Sequence, residues 1–506
     1  MTDEFNKKTE SFLNWLQTIP GVSISDQIKV EDLRAVQQGR GLISTRDVAI
    51  DTVLFRIPRK LILTVESTRI CEKIPEISDL DPWLALIVAL MIENRATSRW
   101  KPYFEVLPTT FATPMFWTAE ELKELEGTTV VEQLGKEEAE NSYIQHIVPL
   151  LEKYPEVFQT VDSSLEAYHR MGSLILSYSY DIETDPDLSA QDSDKVEEQD
   201  EDEDDDEDDE DEEDEEDEED EEDKGKDEAE NEIIEAEHSI EVIEQDDEEK
   251  IVKALVPLLD MLNGDSDLCN VKLLYTTDSL EIKATKRIPA GEQIYNTYGD
   301  LPNSDLLRRY GYTRPGKTIN DVVEIDTRLA IETATSISGL AETQVQKRIE
   351  FILAADEAHD TDVLDDSIQI TNSTCAVPTS ALVLTYLFLL TAPAFRELKK
   401  KSLNSGFPNL LESFSRKGLK SISEQQDVWL QILQKKKRMY RSDVVTDENL
   451  MLETDPVKDF NLRNAVTVRI SEKRIIDSTM QKVKGWKVKA KHKEISKARP
   501  SKRKKL

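Results

Sequence analysis

The sequence has few of the residues that cross-link or hold metals. Three cysteines, Cys71, Cys269 and Cys375, occur in 506 residues. They lie far apart and form no Cys-x-x-Cys pair, which excludes a disulfide framework and offers no pattern for structural zinc or redox chemistry. A reducing compartment, cytosol or nucleus, is expected. Five histidines, His146, His169, His238, His359 and His492, show neither metal-ligand spacing nor a nucleophile elbow. Hydrolase and metalloenzyme readings therefore have little support, and no metal is expected. Long apolar runs are missing too. The longest, residues 381–394, falls short of the roughly 20 residues a membrane helix needs. The opening Met-Thr-Asp-Glu-Phe-Asn has no apolar core, so neither a signal peptide nor a membrane partner is expected.

Positive charge is outnumbered, but locally. The chain carries 104 Asp/Glu against 63 Lys/Arg, a formal net charge of −41. Residues 192–249 hold 40 acidic residues and 3 lysines, residues 482–506 hold 12 basic residues and one glutamate, and the other 423 carry only −15. The composition is that of a mildly acidic globular body with an acidic insert and a basic tail. The insert cannot bury enough apolar surface to offset its ordering entropy, so disorder is expected there. Such a run could hold basic clients or hasten their encounter, or it could be a solvated surface loop. The tail, ending Ser-Lys-Arg-Lys-Lys-Leu, reads as a nuclear localisation signal or a nucleic-acid patch. Nuclear entry is the expectation, with the cytoplasm as a further location and no nucleic-acid role outside the tail.

The body is long enough for two or three domains at about 150 residues each. Residues 5–20 predict an amphipathic helix with Phe12, Trp15 and Leu16 on one face. Apolar runs at 41–44, 52–58 and 61–65 predict strands. From Asp81 to about Tyr180 the period turns helical, with helices expected from Asp81-Pro82 onward and over 118–126, 137–153 and 163–178. Strands are expected over 271–275, 279–284 and 293–297, and helices from about 330 to 482. Residues 45–55 and 285–295 echo each other as strand, basic residue, turn, strand. They are either two related β units or a chance likeness of hairpins.

Three stretches could carry chemistry. Gln38, Gly39, Arg40 and Gly41 allow a tight turn and close approach to a ligand, though a plain turn explains them as well. They lack the third glycine and helix of a dinucleotide fingerprint. Residues 255–264 form an apolar turn closing on Asn263 and Gly264. That Asn amide either completes a buried turn or offers donors and an acceptor to a ligand. Tyr295, Tyr298, Tyr310 and Tyr312 are core amphipaths with satisfied hydroxyls, or phenols that orient an amine or a methyl donor.

In this order, Gly39-Arg-Gly41-Leu-Ile, Ser98-Arg-Trp100-Lys-Pro-Tyr-Phe104, residues 255–263, and Asn296-Thr-Tyr298-Gly299 through Tyr310-Gly311 resemble SET-domain lysine methyltransferases of the Rubisco large-subunit methyltransferase type. The resemblance implies an α+β chain: a β-rich SET domain around a knot-like segment, split by a helical insertion and followed by an α-helical substrate-binding domain. The expected division is an N-terminal helix (1–22), SET first part (23–80), helical insertion (81–184), acidic insert (185–249), SET second part (250–314), helical C-terminal domain (315–481) and disordered basic tail (482–506). S-adenosyl-L-methionine is the implied cofactor. Gln38, Gly39 and Arg40 would offer it backbone groups, and Trp100 and Tyr178 would line the cofactor or substrate site. Asn263 and Gly264 would meet its methionine and adenine parts, Tyr298 would be the catalytic tyrosine, and Tyr310 would close the pocket. The family usually has Asn-His where this chain has Asn263 and Gly264; a backbone contact survives that change and an imidazole contact does not.

Methyl transfer from a sulfonium to an amine needs alignment and a neutral amine rather than a metal. A lysine with a pKa of about 10.4 must lose its proton, which desolvation favours. The resemblance implies a protein-lysine N-methyltransferase acting on a lysine of a basic large-subunit ribosomal protein, and a monomer is expected. The alternative is an acidic chaperone or scaffold for basic proteins with weak or no catalysis.

Overall fold

The computed structural model describes residues 3–36, 38–183, 251–359, 363–405 and 419–497. The acidic segment 192–249 lies outside them. Residues up to Tyr180 together with those from Lys253 onward form one unit, and Asp181–Val252 a second. The strands between Ser23 and Pro58, those between Asn263 and Thr371 and the C-terminal helices thus belong to one unit. Helix α1 (Glu4–Gln17) opens on an Asp3 side-chain cap and buries Phe12 and Leu16.

The scaffold is made of short strands. They are β1 (Ser23–Ile24), β2 (Ile28–Asp32), β3 (Arg40–Ser44), β4 (Val53–Pro58), β5 (Ser179–Glu183), β6 (Ile251–Leu255), β7 (Asn263–Gly264), β8 (Val271–Tyr275), β9 (Ser279–Ala284) and β10 (Gln293–Asn296). One sheet has the order β1-β4-β9-β8, a second β2-β3-β10-β7, and β5 pairs with β6. Burial alternates from Leu280 to Ala284 of β9, as expected where one sheet face meets the core, whereas β4 shifts register between Val53 and Phe55 and buries residues in pairs.

The two echoing stretches meet face to face. Val48 and Ile288, matched in the echo, bridge each other, with N–H to carbonyl distances of 2.8 and 3.0 Å. Asp51 and Gly291, also matched, both take positive φ, 64° and 84°. Their N–H groups donate to the Ala284 and Ser44 carbonyls, each at 2.9 Å. Strand β4 pairs with β9 while β3 pairs with β10. The echo is therefore a pseudo-twofold pair of strand–turn–strand units, each lending a strand to the other's sheet.

Some local expectations change. Residues 61–65 were expected as a strand, but Leu63 makes a single bridge to Leu255. A reciprocal Thr64–Ser67 capping box starts a short helix at Val65 instead. The helix expected over 137–153 is broken by a π-turn, Tyr143–Ile147. Pro149 follows in the next turn, and its missing N–H cannot continue the regular ladder. Elsewhere helix α2 (Pro82–Glu93) starts at its first-turn proline with Asp81 as cap, and α3 (Leu165–Tyr178) is capped by Ser164.

Helix α4 (Asn303–Tyr310) follows β10. Beyond it, β11 (Val322–Asp326) and β12 (Ser367–Thr371) form an antiparallel pair, β12 falling inside the stretch expected as helical. The apolar run at 381–394 supplies the buried core helix Thr379–Leu389. The long helix α5 (Phe460–Lys497) carries the basic stretch through Lys497, where a disordered tail from Lys482 was expected. Val483 is buried, Trp486 packs on the C-terminal core, and Lys and Ala favour helix. Residues 498–506 lie outside the described ones.

Candidate functional site

Two adjoining cavities, of about 200 and 630 Å³, share Gln38, Gly39, Pro108, Tyr178, Asn263 and Tyr298 as walls. Arg40 also lines the smaller one, and Gly264 and Tyr310 the larger. Eight of the nine sequence-predicted positions thus converge, although they span residues 38 to 310. Trp100 is not brought to either cavity. It is buried, donates its indole N–H to the Leu61 carbonyl at 3.0 Å, and carries the Arg99 guanidinium 3.8 Å over its ring.

The two glycines at the start of β3, Gly39 just before it and Gly41 within it, serve different ends. Gly39 has φ +61° and faces open space, so its need is conformational. At Gly41 a Cβ would lie 2.4 Å from Leu33 Cδ1 and 2.9 Å from Asn263 Nδ2. Its bareness lets the Asn263 amide approach the loop and donate to the Arg40 carbonyl at 3.3 Å. Asn263 and Gly264 are fixed by parallel pairing with Tyr295 and Asn296 of β10. This parallel pair brings the end of β10, and so Tyr298, beside the Asn263 turn. The buried Asn303 side chain pins the next segment, donating to the Lys317 carbonyl at 2.9 Å and accepting from the Arg314 N–H at 2.6 Å.

Tyr298 stacks on Tyr310 with centroids 4.2 Å apart and planes 7° from parallel. Its hydroxyl donates to the Leu262 carbonyl over 3.4 Å. A Cβ on Gly264 would lie 2.4 Å from two of its ring carbons. The ring therefore occupies space that any side chain at 264 would need. Desolvation, with neighbouring phenols adding to it, pushes the Tyr298 hydroxyl well above the ordinary phenol range. Burial raises Tyr178 to about 12. Both hydroxyls stay protonated at neutral pH, and that of Tyr298 is a hydrogen-bond donor.

Several neighbours were not singled out by sequence. Asp260 sits on a tight turn after Leu258, a buried leucine with φ +75°. Holding a branched residue there costs on the order of 1–3 kcal/mol. Asp260 Oδ2 accepts from the Tyr103 hydroxyl at 2.5 Å, while the shielded Oδ1 has no partner. Burial pushes this carboxyl up to about 7, against the pull of Tyr103 and Arg40. A lone Asp inside an apolar run was the available signal. Tyr180 reaches the Leu259 carbonyl at 3.4 Å, and burial raises its phenol as well. The Arg40 guanidinium is committed to Thr9 Oγ1 (2.9 Å) and the carbonyls of Val106 (2.8 Å) and Phe5 (3.3 Å).

Interleaved short sheets, one parallel strand pair and an aromatic-walled double cavity, with helices appended, define the fold class. The chain belongs to the SET domain family, whose model matches residues 39–299, over half of its length. It is 31% identical over 322 residues, 61% of this chain, to ribosomal lysine N-methyltransferase 4 of Saccharomyces cerevisiae. The match spans 56% of that relative, little more than half its length. It is 25% identical to human N-lysine methyltransferase SETD6 over 464 residues, covering 88% of this chain and 84% of the relative. Among solved structures, the SET domain of LSMT bound to lysine and AdoHcy superposes with a TM-score of 0.63 at 17% identity. That superposition covers 97% of this chain and 94% of the other. Rubisco LSMT bound to AdoMet gives 0.61 at 17% identity, over 98% and 97%.

Proposed function

We propose that the chain is an S-adenosylmethionine-dependent protein-lysine N-methyltransferase acting on a basic ribosomal protein. The observation that carries this reading is the convergence of Gly39, Asn263 and the protonated Tyr298 hydroxyl on one double cavity within a SET fold. The names of the relatives, ribosomal lysine N-methyltransferase 4 and N-lysine methyltransferase SETD6, support the reaction, and the former supports the ribosomal substrate. Nuclear targeting through the basic stretch remains part of the proposal.

The residues present suit the cofactor's chemistry. Gly39 opens backbone to the cavity without a side chain in the way. Asn263 adds an amide, and Tyr298, Tyr310 and Phe460 offer aromatic faces for a purine. Gln38, Gly39, Arg40, Asn263, Gly264 and Tyr310 would hold it, which when bound supplies an electrophilic methyl on a sulfonium. The tyrosines set the environment of the amine. Tyr178 and Tyr298, both neutral and desolvated, line a site in which an ammonium is disfavoured, so a lysine there loses its proton more readily than in water. The Tyr298 hydroxyl orients by weak contacts of about 0.5–1 kcal/mol each, so alignment carries most of the acceleration.

Purified protein with labelled S-adenosylmethionine and ribosomal proteins should label a lysine. Tyr298→Phe should lower the rate on the order of ten- to a hundredfold. A chain that binds no cofactor sinks this reading.

A further inference from the structure

We infer that the first turn of α1 is a wall of the cofactor site, with Phe5 held against the bound cofactor by Arg34 and Arg40. The inference rests on the methyltransferase reading above and adds to it a binding residue from outside the matched segment, which begins at residue 39.

Phe5 lines the smaller cavity beside Gln38, Gly39 and Arg40. Two guanidinium groups lie over its ring, Arg34 at 4.0 Å and Arg40 at 3.8 Å from the centroid. Each is fixed in turn. Arg34 donates to Asp32 at 2.7 and 2.9 Å and pairs with Asp3, the cap of the same helix. Arg40 spends its donors on Phe5, Thr9 and Val106. A ring flanked by two cations gains from both contacts, each worth about 0.5–1 kcal/mol where exposed. It is thus more ordered than a half-exposed phenylalanine in a first helical turn would otherwise be.

This arrangement gives Arg40 a purpose distinct from ligand binding. Its side chain faces α1 while its residue borders the cavity, so it couples the glycine turn to the helix. Arg34 and Arg40 are positioning residues, and Phe5 is the contact. A cofactor in the smaller cavity would cover Phe5, and leaving would require the helix turn to yield. The site should therefore lose affinity mainly through faster dissociation when Phe5 is truncated.

The test measures S-adenosylhomocysteine binding to the full chain by calorimetry and stopped flow, alongside the melting temperature of the free protein. Phe5→Ala should raise Kd about tenfold, mostly in the dissociation rate, matching loss of part of a phenylalanine's burial. Phe5→Tyr should stay within about twofold of wild type, since the ring and its cation contacts remain. Arg34→Ala should raise Kd about threefold and speed amide exchange in residues 4–17, providing the same test should Phe5→Ala not fold. Wild-type binding with unchanged Kd and dissociation rate in both alanine variants overturns the α1 wall alone. Absence of binding by the wild type overturns the methyltransferase reading and the wall with it.

Discussion

A Cβ at position 264 would lie 2.4 Å from two carbons of the Tyr298 ring, so Gly264→Ala must move the phenol or the strand. We expect about 1–3 kcal/mol of destabilisation together with slower single-turnover methyl transfer. Unchanged urea midpoint and rate would show the ring to be free to shift. Asp260 gives a pH-dependent prediction. Its folded carboxyl titrates at about 7, above the ordinary 3.8. Between those values the folded protein holds a proton that the unfolded chain releases, so stability falls as pH rises through the window. Asp260→Asn keeps an acceptor for Tyr103 and removes the titration. It should match wild type near pH 4 and exceed it by pH 8, on the order of 2 kcal/mol by urea unfolding. Glycine turns and the Asn263 and Tyr298 motifs were legible because their chemistry is local. The Tyr103–Asp260 bond was not, because its partners are 157 residues apart.

At the scale of elements, α5 is tied to the rest by buried charge. Asp447, fully buried on helix Val444–Glu453, pairs with Arg469 at 2.6 Å and with Lys473. Arg469 also reaches the Glu124 carboxylate at 2.5 Å and its carbonyl at 2.8 Å. Asp447→Ala would leave buried Lys473 with the Ser442 carbonyl and no carboxylate, and Arg469 with Glu124 alone, and should cost about 3–5 kcal/mol, read as a drop in urea midpoint. A smaller loss would mean that water enters to solvate them. Tyr440 and the Thr129 N–H meet Glu472 in the same region at 2.5 and 3.1 Å. None of these partners shares a local pattern, so sequence periodicity found the helices and missed their docking. It missed β11 and β12 for a related reason. Their pairing, Val322 with Thr371 through Asp326 with Ser367, crosses a long helical stretch; β11 does not alternate, and β12 alternates over five residues only, inside a region read as helical.

For the whole molecule, the proposed basic substrate gives the acidic segment 192–249 a testable role in its arrival. Strands β5 and β6 pair with each other on either side of it, so replacing it by a short linker should leave the melting temperature within about 2 °C. If the segment steers basic substrates, kcat/KM should fall in that variant at low salt and match wild type at about 1 M salt, where charges are screened beyond about 3 Å. Equal values at every ionic strength would make it a passive loop.

The exchange of strands between the two β units also sets a clock for the cell. β3 and β4 lie within the first 58 residues, while their partners β9 and β10 end at Asn296. At about 5–20 residues per second of synthesis, the earlier strands wait roughly 12–50 s with unpaired edges before their partners leave the ribosome. During that interval the emerging chain includes the 40 acidic residues of 192–249, whose mutual repulsion opposes edge-to-edge association of nascent chains.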